Sequence, residues 1–275
     1  MPSITVHGAS VFYRRHPARE AGKVGIMPLL LVHGVGSSTK TWSDVMQRLR
    51  GAGRTVVAID LLGHGESGHG NGDFSLGANA SRIRDLLDHL GMDRVHVVGH
   101  SLGGGVSLQF QYQYPERVES LTLISSGGLG EEVSAGLRAA SLPGSEVVFR
   151  AMASDRVLGW LDGSAPPRVV EKLQRLQDER RRRAFLATVR SVVGPQGQLV
   201  RATDKLGAVT DPASVLIIWG EADSTVPMAH GVHAHEMLPG SRFLSVPDAG
   251  HHPHVDAPDL VGEAILRHIV AVEDV

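Results

Sequence analysis

The sequence predicts an α/β fold, with a mostly parallel eight-stranded sheet, helices on both faces and a helical cap inserted after the sixth strand. Three observations predict it. Five near-continuous apolar runs of five to seven residues read as strands buried on both faces, because a strand wet on one face would alternate. Helix-sized segments separate most of them, in the βαβα order of an open parallel sheet with right-handed crossovers. One long stretch, about 129–204, has helical patterning and no convincing strand.

In chain order, "SITVHG" and "SVFYRR" alternate polar with apolar residues and predict a hairpin. The buried strands follow as "PLLLVHG" (28–34), "RTVVAID" (54–60), "RVHVVGH" (94–100), "SLTLISS" (120–126) and "SVLIIWG" (214–220), and "SRFLSVP" (241–247) closes the sheet. Helices are expected over 39–50, over 76–90 with Gly91 as its C-terminal stop, over 101–114 before Pro115, over 228–238 and over 258–270. The core is therefore assigned to residues 1–128 and 205–275, and the cap to 129–204. Ligands of open α/β sheets bind at the C-terminal ends of the strands, which is where such a cap would sit.

Within the cap, 166–193 reads as one helical stretch whose buried side is Val169, Val170, Leu173, Leu176, Phe185 and Val189. The run "ERRRR" (179–183) reads as a solvated face of that helix, an anion site being the other reading. Phe149, Met152, Leu158, Trp160 and Phe185 are expected to be mostly core, some of them lining an apolar pocket.

Bulk properties narrow the function classes. The chain has 275 residues, 42% of them hydrophobic and 20% charged, with a formal net charge of −2, so nothing marks it for nucleic acid or an anionic membrane. Cysteine is absent, which excludes disulfides, thiolate nucleophiles and cysteine-bound metals and fits a reducing compartment. The opening "MPSITVHGAS" lacks the basic and apolar regions of a secretory leader, and no apolar run approaches the ~20 residues that span a bilayer. A cytoplasmic protein, monomeric or homodimeric, is the expectation.

Chemistry concentrates at Gly99-His100-Ser101-Leu102-Gly103, a G-x-S-x-G element directly after a strand and before a helix. In that context the serine occupies a strained turn that needs glycine on both sides, and the Leu102 amide opens the helix where an oxyanion would form. A phosphate loop is the competing reading, but the G-x-G-x-x-G spacing and a Walker lysine are both absent. A serine hydroxyl needs a base, and the base an orienting acid. Asp223 lies at the end of "VLIIWGEAD", on the same sheet edge as Ser101, and His251 heads the loop in "DAGHHPHVDAP". His252 and His254 are rivals to His251, which directly follows the turn residue Gly250; Asp248 and Asp256 read as cap or turn residues.

Five stretches, "LLLVHGVGSS" (29–38), "AIDLLGHGESG" (58–68), "VVGHSLGG" (97–104), "IIWGEADSTVP" (218–227) and "AGHHPHVDAP" (249–258), resemble successive blocks of the α/β-hydrolase family. The resemblance implies Ser101 as nucleophile, His251 as base, Asp223 as its acid, and an oxyanion hole from the Val35 and Leu102 backbone N–H groups. It also disfavours the epoxide-opening and halide-displacing branches, which carry Asp where this chain has Ser101.

The expected activity is that of a serine hydrolase cleaving a carboxylic ester or lactone through an acyl-enzyme, with no metal or organic cofactor and a small molecule as its only partner. The first alternative is a carbon–carbon bond hydrolase of the meta-cleavage-product type. "SSGGLG" and "VPMAHG" are similar to stretches of those enzymes, and Arg190 would clamp a substrate carboxylate, whereas His100 and the His252/Pro253 pair depart from their pattern. The second is a catalytically idle member of the fold that binds a small molecule. His33, Gly34, His100, Trp160, Arg190 and His252 are the candidate substrate-binding residues. Asp60 and His64 read as a turn shaping the pocket, and His100 as packing under the serine turn. The histidines of "HGVHAHE" (230–236) and "HHPH" show no zinc-site spacing, and a surface helix that happens to be His-rich is the reading preferred to a zinc site.

Overall fold

A computed structural model describes residues 2–18, 26–69, 72–165, 167–203, 206, 209 and 211–274. Its strands are β1 (Ser3–Val6), β2 (Ala9–His16), β3 (Leu29–Val32), β4 (Val56–Ile59), β5 (Val95–His100), β6 (Val118–Ile124), β7 (Val215–Gly220) and β8 (Arg242–Val246). They form one sheet in the order β1-β2-β4-β3-β5-β6-β7-β8. β1 and β2 pair antiparallel, as does β2 with β4, and every pairing from β4 to β8 is parallel. The expected eight-stranded, mostly parallel sheet is the one observed.

The helices are α1 (Ser43–Gly51), α2 (Leu76–Leu90), α3 (Leu102–Gln113), α4 (Ala135–Ser141), α5 (Ser145–Met152), α6 (Asp155–Leu161), α7 (Pro167–Arg175), α8 (Glu179–Val192), α9 (Ala229–Met237), α10 (Pro253–Asp256) and α11 (Pro258–Glu273). Strand residues divide alternately between two cores. Leu30, Val32, Val57, Ile59 and Val97 pack with Ile83 and Leu86 of α2 and Val106 and Phe110 of α3. Leu29, Leu31, Val56, Ala58 and Val98 pack with Val45 and Leu49 of α1 and Ile265 and Ile269 of α11. Both faces of the central strands are thus covered, which is why their sequences show no alternation. α2 ends where the sequence places its stop: Gly91 takes φ 64° and its N–H returns to the carbonyls of Asp88 and Leu87.

Helices α4 to α8 occupy the stretch between β6 and β7. The expected boundary at 204/205 lies outside the described residues. The single long helix read over 166–193 is two helices, because Asp178 caps α8 by accepting the Arg181 N–H at 3.0 Å. Arg182 is buried rather than solvated, and its Nη1 donates to the carbonyls of Leu176 (2.8 Å) and Gln177 (3.2 Å), satisfying the junction. Leu173, Leu176 and Val189 are buried as expected, whereas Val169 is exposed. Among the described residues no helix is long and apolar enough to cross a membrane.

Candidate active site

Ser101 stands between the end of β5 and the start of α3 at φ 54° and ψ −118°, a conformation non-glycine residues rarely adopt and that costs on the order of 1–3 kcal/mol. The surroundings hold it there. Its N–H donates to the Ile124 carbonyl at 3.0 Å, and its own carbonyl accepts from Gly104, Gly105 and Gly127. The flanking glycines are steric necessities: a Cβ on Gly99 would lie 2.4 Å from the Gly103 carbonyl oxygen, and one on Gly103 would lie 2.2 Å from that of Val32.

The acid and the imidazole come from the next strands along the sheet. Asp223, three residues past β7, receives the Thr225 and Val226 N–H groups on Oδ1 at 2.8 and 3.0 Å. His251, five residues past β8, donates from Nδ1 to Asp223 Oδ2 at 2.8 Å. The two loops meet across Gly220, where a Cβ would lie 2.1 Å from the Gly250 carbonyl oxygen. His251 Nε2 lies 2.9 Å from Ser101 Oγ. With Nδ1–H committed to the carboxylate, Nε2 is left as the acceptor of the serine proton. Burial opposes ionisation of Asp223, but the hydrogen bonds from His251, Val226 and Thr225 outweigh it and hold the carboxyl below its ordinary value. The order Ser101–His251–Asp223 is therefore present as a continuous hydrogen-bonded chain.

The loop after β3 closes over the serine. A Cβ on Gly34 would sit 3.0 Å from Ser101 Cβ and 2.8 Å from His100 Nδ1, so only a bare backbone passes there. Val35 and Leu102 both line the pocket that contains Ser101. Neither amide donates to another group among the described residues, and Leu102 is the first residue of α3, where N–H groups lack intrahelical acceptors.

That pocket is a small chamber of about 50 Å³. Its wall is aliphatic: Leu76 of α2, Leu137 of α4, Val189 and Val192 of α8, and Val226 beside Asp223. Among the described residues no charged side chain lines it. Gln198, its main polar neighbour besides Ser101, is occupied in accepting the Gly128 N–H (2.7 Å) and donating to the Glu132 carbonyl (3.2 Å). Sequence reasoning missed these lining residues, although Val189, Val192 and Val193 recur at helical spacing.

Of the candidate substrate-binding residues, the structure brings Gly34 and His100 against Ser101 and leaves others elsewhere. His33 is fully buried beneath its loop, donating from Nδ1 to the Gly34 carbonyl (2.7 Å) and accepting the Leu61 N–H on Nε2 (3.0 Å). Burial lowers its pKa to about 4, so its 4.0 Å approach to Asp60 is not an ion pair at neutral pH. His252 packs its ring on His100, with centroids 4.9 Å apart, and is not among the residues that wall the chamber. Trp160 is 77% exposed on α6, away from the chamber, since α6 turns a different residue, Leu158, inward. Arg190 is exposed and donates to Ser145 Oγ (2.9 Å) and the Leu142 carbonyl (3.3 Å), so it ties α8 to the junction of α4 and α5 instead of lining the chamber of Ser101. Asp60 is a turn anchor as expected, accepting the Thr39 and Glu66 N–H groups. Among the described residues no group of three or more His, Asp or Glu side chains is arranged to hold a metal ion.

Residues 29–264 match the model of the alpha/beta hydrolase family. The chain belongs to that family. The hydrolase is 40% identical over 98% of its length to an uncharacterized protein of Mycobacterium tuberculosis, of which it covers 81%. In fold it is similar to a thermophilic esterase from Thermogutta terrifontis (TM-score 0.76, 23% identity, 99% of this chain and 98% of that one). It is equally similar to a meta-cleavage product hydrolase from Pseudomonas fluorescens IP01 (TM-score 0.77, 20% identity, 98% of each chain).

Proposed function

We propose that the hydrolase is a serine esterase acting on small carboxylic esters or lactones with an apolar acyl portion, and that α4–α8 form the cap that selects them. The observation that carries this reading is the unbroken line from Ser101 Oγ through His251 to Asp223, at 2.9 and 2.8 Å. Ser101 Oγ attacks the carbonyl carbon while its proton passes to His251 Nε2, and Asp223 stabilises the imidazolium that results. The negative charge on the carbonyl oxygen is received by the Val35 and Leu102 amides. The imidazolium then protonates the departing alcohol oxygen, the carbon–oxygen ester bond breaks, and water repeats the sequence on the acyl-enzyme. No metal or organic cofactor enters any of these steps.

The aliphatic chamber holds the acyl part by burial alone, at roughly 25 cal/mol per Å² of apolar surface removed from water. The same wall weighs against the carbon–carbon hydrolase alternative, because the arginine that would have held a substrate carboxylate, Arg190, is tied to Ser145 and does not line the chamber.

A fluorophosphonate probe tests the reading. It is expected to label the folded protein and to fail on Ser101→Ala; folded protein that stays unlabelled would support an idle binding member of the fold. Turnover of short and medium 4-nitrophenyl esters and lactones, against one dienoate ring-fission product, then separates ester from carbon–carbon cleavage.

A further inference from the structure

A second chamber lies on the other side of the loop that borders Ser101. Val35 faces the aliphatic chamber, and the next two residues, Gly36 and Ser37, line the second one, together with Phe149, Leu176 and Phe185. Its polar lining is cationic: Lys172, Arg175 and Arg181, with His64 kept neutral by burial at a pKa of about 3. Among the described residues no carboxylate lines it.

Helix α8 joins the two chambers. Arg181 and Phe185 line the second, Val189 and Val192 the first, at the i, i+4, i+8, i+11 spacing of one helix face. At 1.5 Å per residue, Arg181 lies about 12 Å along the axis from Val189. One face of one helix therefore runs from cationic through aromatic to aliphatic, with the Ser101 loop beneath it. Outside, the second chamber shares Arg175 and Arg181 with a groove that adds Arg14, Arg15 and Lys40. The acids of that groove are largely engaged. Asp60 is buried under two backbone N–H groups, Glu171 is paired with Arg175, and Glu66 is left against the cations. Arg15, Lys40 and Arg181 have no ion-pair partner among the described residues. The part of "ERRRR" that matters is thus Arg181 alone, since Arg180 is exposed and lines neither chamber, Arg182 is buried in the helix junction and Arg183 pairs with Glu179.

We infer that the second chamber is the leaving-group subsite and that it takes an alcohol carrying a negative charge, a carboxylate or a phosphate, so that the natural substrate is an anionic ester with an uncharged acyl chain. The inference rests on the esterase reading above. In the step concerned, the Ser101 Oγ–carbonyl bond forms, the carbonyl–oxygen bond to the leaving group breaks, and that oxygen takes the proton from His251; the anion is bound throughout and not transformed. Arg181, which has no ion-pair partner among the described residues, holds it by charge, Arg175 being shared with Glu171, while Phe149 and Phe185 cover the apolar part of the alcohol.

The test uses matched esters of one acid: 3-(butanoyloxy)benzoate, its methyl ester, and 3-(butanoyloxy)phenyl phosphate. The native enzyme is expected to favour at least one anionic ester over the neutral one by about tenfold in kcat/KM at low salt, with the advantage shrinking as salt screens the charges; which anion gains more tells carboxylate from phosphate. Arg181→Glu should cut the anionic-to-neutral ratio at least tenfold, and Arg190→Ala, lining neither chamber, should leave that ratio alone. A ratio near one in the native enzyme, or one unmoved by Arg181→Glu, overturns the inference. If no ester turns over and Ser101 resists labelling, the esterase reading has failed. The subsite is then read separately, by calorimetric titration of Ser101→Ala with 3-hydroxybenzoate and with its methyl ester, where equal affinities overturn it.

Discussion

His100 Nε2 lies 2.7 Å from the backbone carbonyl oxygen of His251, so the residue before the serine is tied to the main chain of the imidazole that faces it. His100 is fully buried and its Nδ1 has no partner among the described residues, so Nε2 carries the proton that the carbonyl accepts. Its pKa is held well below the ordinary value, first by burial and then by the neighbouring His254, His252 and His251. A neutral donor at this position anchors the His251 loop without setting a second positive charge beside the imidazolium.

That arrangement gives the first prediction. His100→Ala leaves a buried carbonyl unpaired, a loss of about 1–3 kcal/mol, or roughly a tenfold or greater fall in kcat if the loop takes up the slack. His100→Gln, whose amide still donates, should recover part of it. The check is kcat on a 4-nitrophenyl ester with thermal melts of the same proteins; kcat within twofold for His100→Ala would show that the tie does not position His251.

Asp223→Asn should be far more damaging than its size suggests. The amide can turn its NH₂ toward His251 and force the ring into the tautomer that presents Nε2–H, not a lone pair, to Ser101. The two N–H bonds to Oδ1 survive the change, so the fold should hold. We expect kcat to fall on the order of 10³- to 10⁴-fold with little change in KM. Steady-state kinetics beside a circular dichroism melt decide it, and a modest kcat loss would remove Asp223 from the role proposed for it.

Stability should decline on the acid side well above the carboxylate range. His33, His64 and His268 are buried and neutral, with pKa values lowered to about 4, about 3 and about 4, by burial first in each case. Such histidines protonate in the unfolded chain before they do so in the folded one. Their contribution is complete above the unfolded value of about 6.5 and is lost as pH falls from there through 4 toward 3, on the order of 2 kcal/mol each between pH 7 and 5. Urea unfolding at pH 7.5, 6 and 5 measures this; stability that is flat or rises over the range contradicts it.

What could be read from the sequence divides along physical lines. The serine turn was legible because its constraints are local: Gly99 and Gly103 have to be glycine for reasons of backbone contact within a few residues, and the order of Ser101, Asp223 and His251 follows from the order of strands. The sheet was legible because strands buried on both faces have to be apolar throughout. The chamber was not, since Leu76, Leu137 and Val192 are ordinary aliphatic residues on three helices, and only the packing of the cap decides which of them face Ser101. Arg190 and Trp160 were misplaced for the same reason: charge and aromaticity are visible in a sequence, but the direction of a side chain on a short cap helix is not. The break at Asp178 was hidden by apolar residues that keep helical spacing across it, although an acid heading "DERRRR" is an N-cap signal.

Two glycines of the serine turn should respond to alanine in opposite ways. A Cβ on Gly103 would lie 2.2 and 2.6 Å from the carbonyl oxygens of Val32 and His33, backbone atoms that cannot move without shifting the loop over Ser101. Gly103→Ala should therefore cost both folding stability and nearly all activity. At Gly105 the nearest atoms are the Gly127 carbonyl oxygen and the Leu76 side chain, at 3.6 Å or more, which is ordinary contact. Inside α3, alanine there should stabilise by up to about 1 kcal/mol through helix propensity. Gly105 also lines the aliphatic chamber, so the added methyl narrows it. Gly105→Ala should then raise the melting temperature while lowering kcat/KM for longer acyl esters relative to acetate. Melts and an acyl-length series from two to eight carbons check both halves; an unchanged length profile in a folded, active Gly105→Ala protein would mean that the acyl chain does not occupy this chamber.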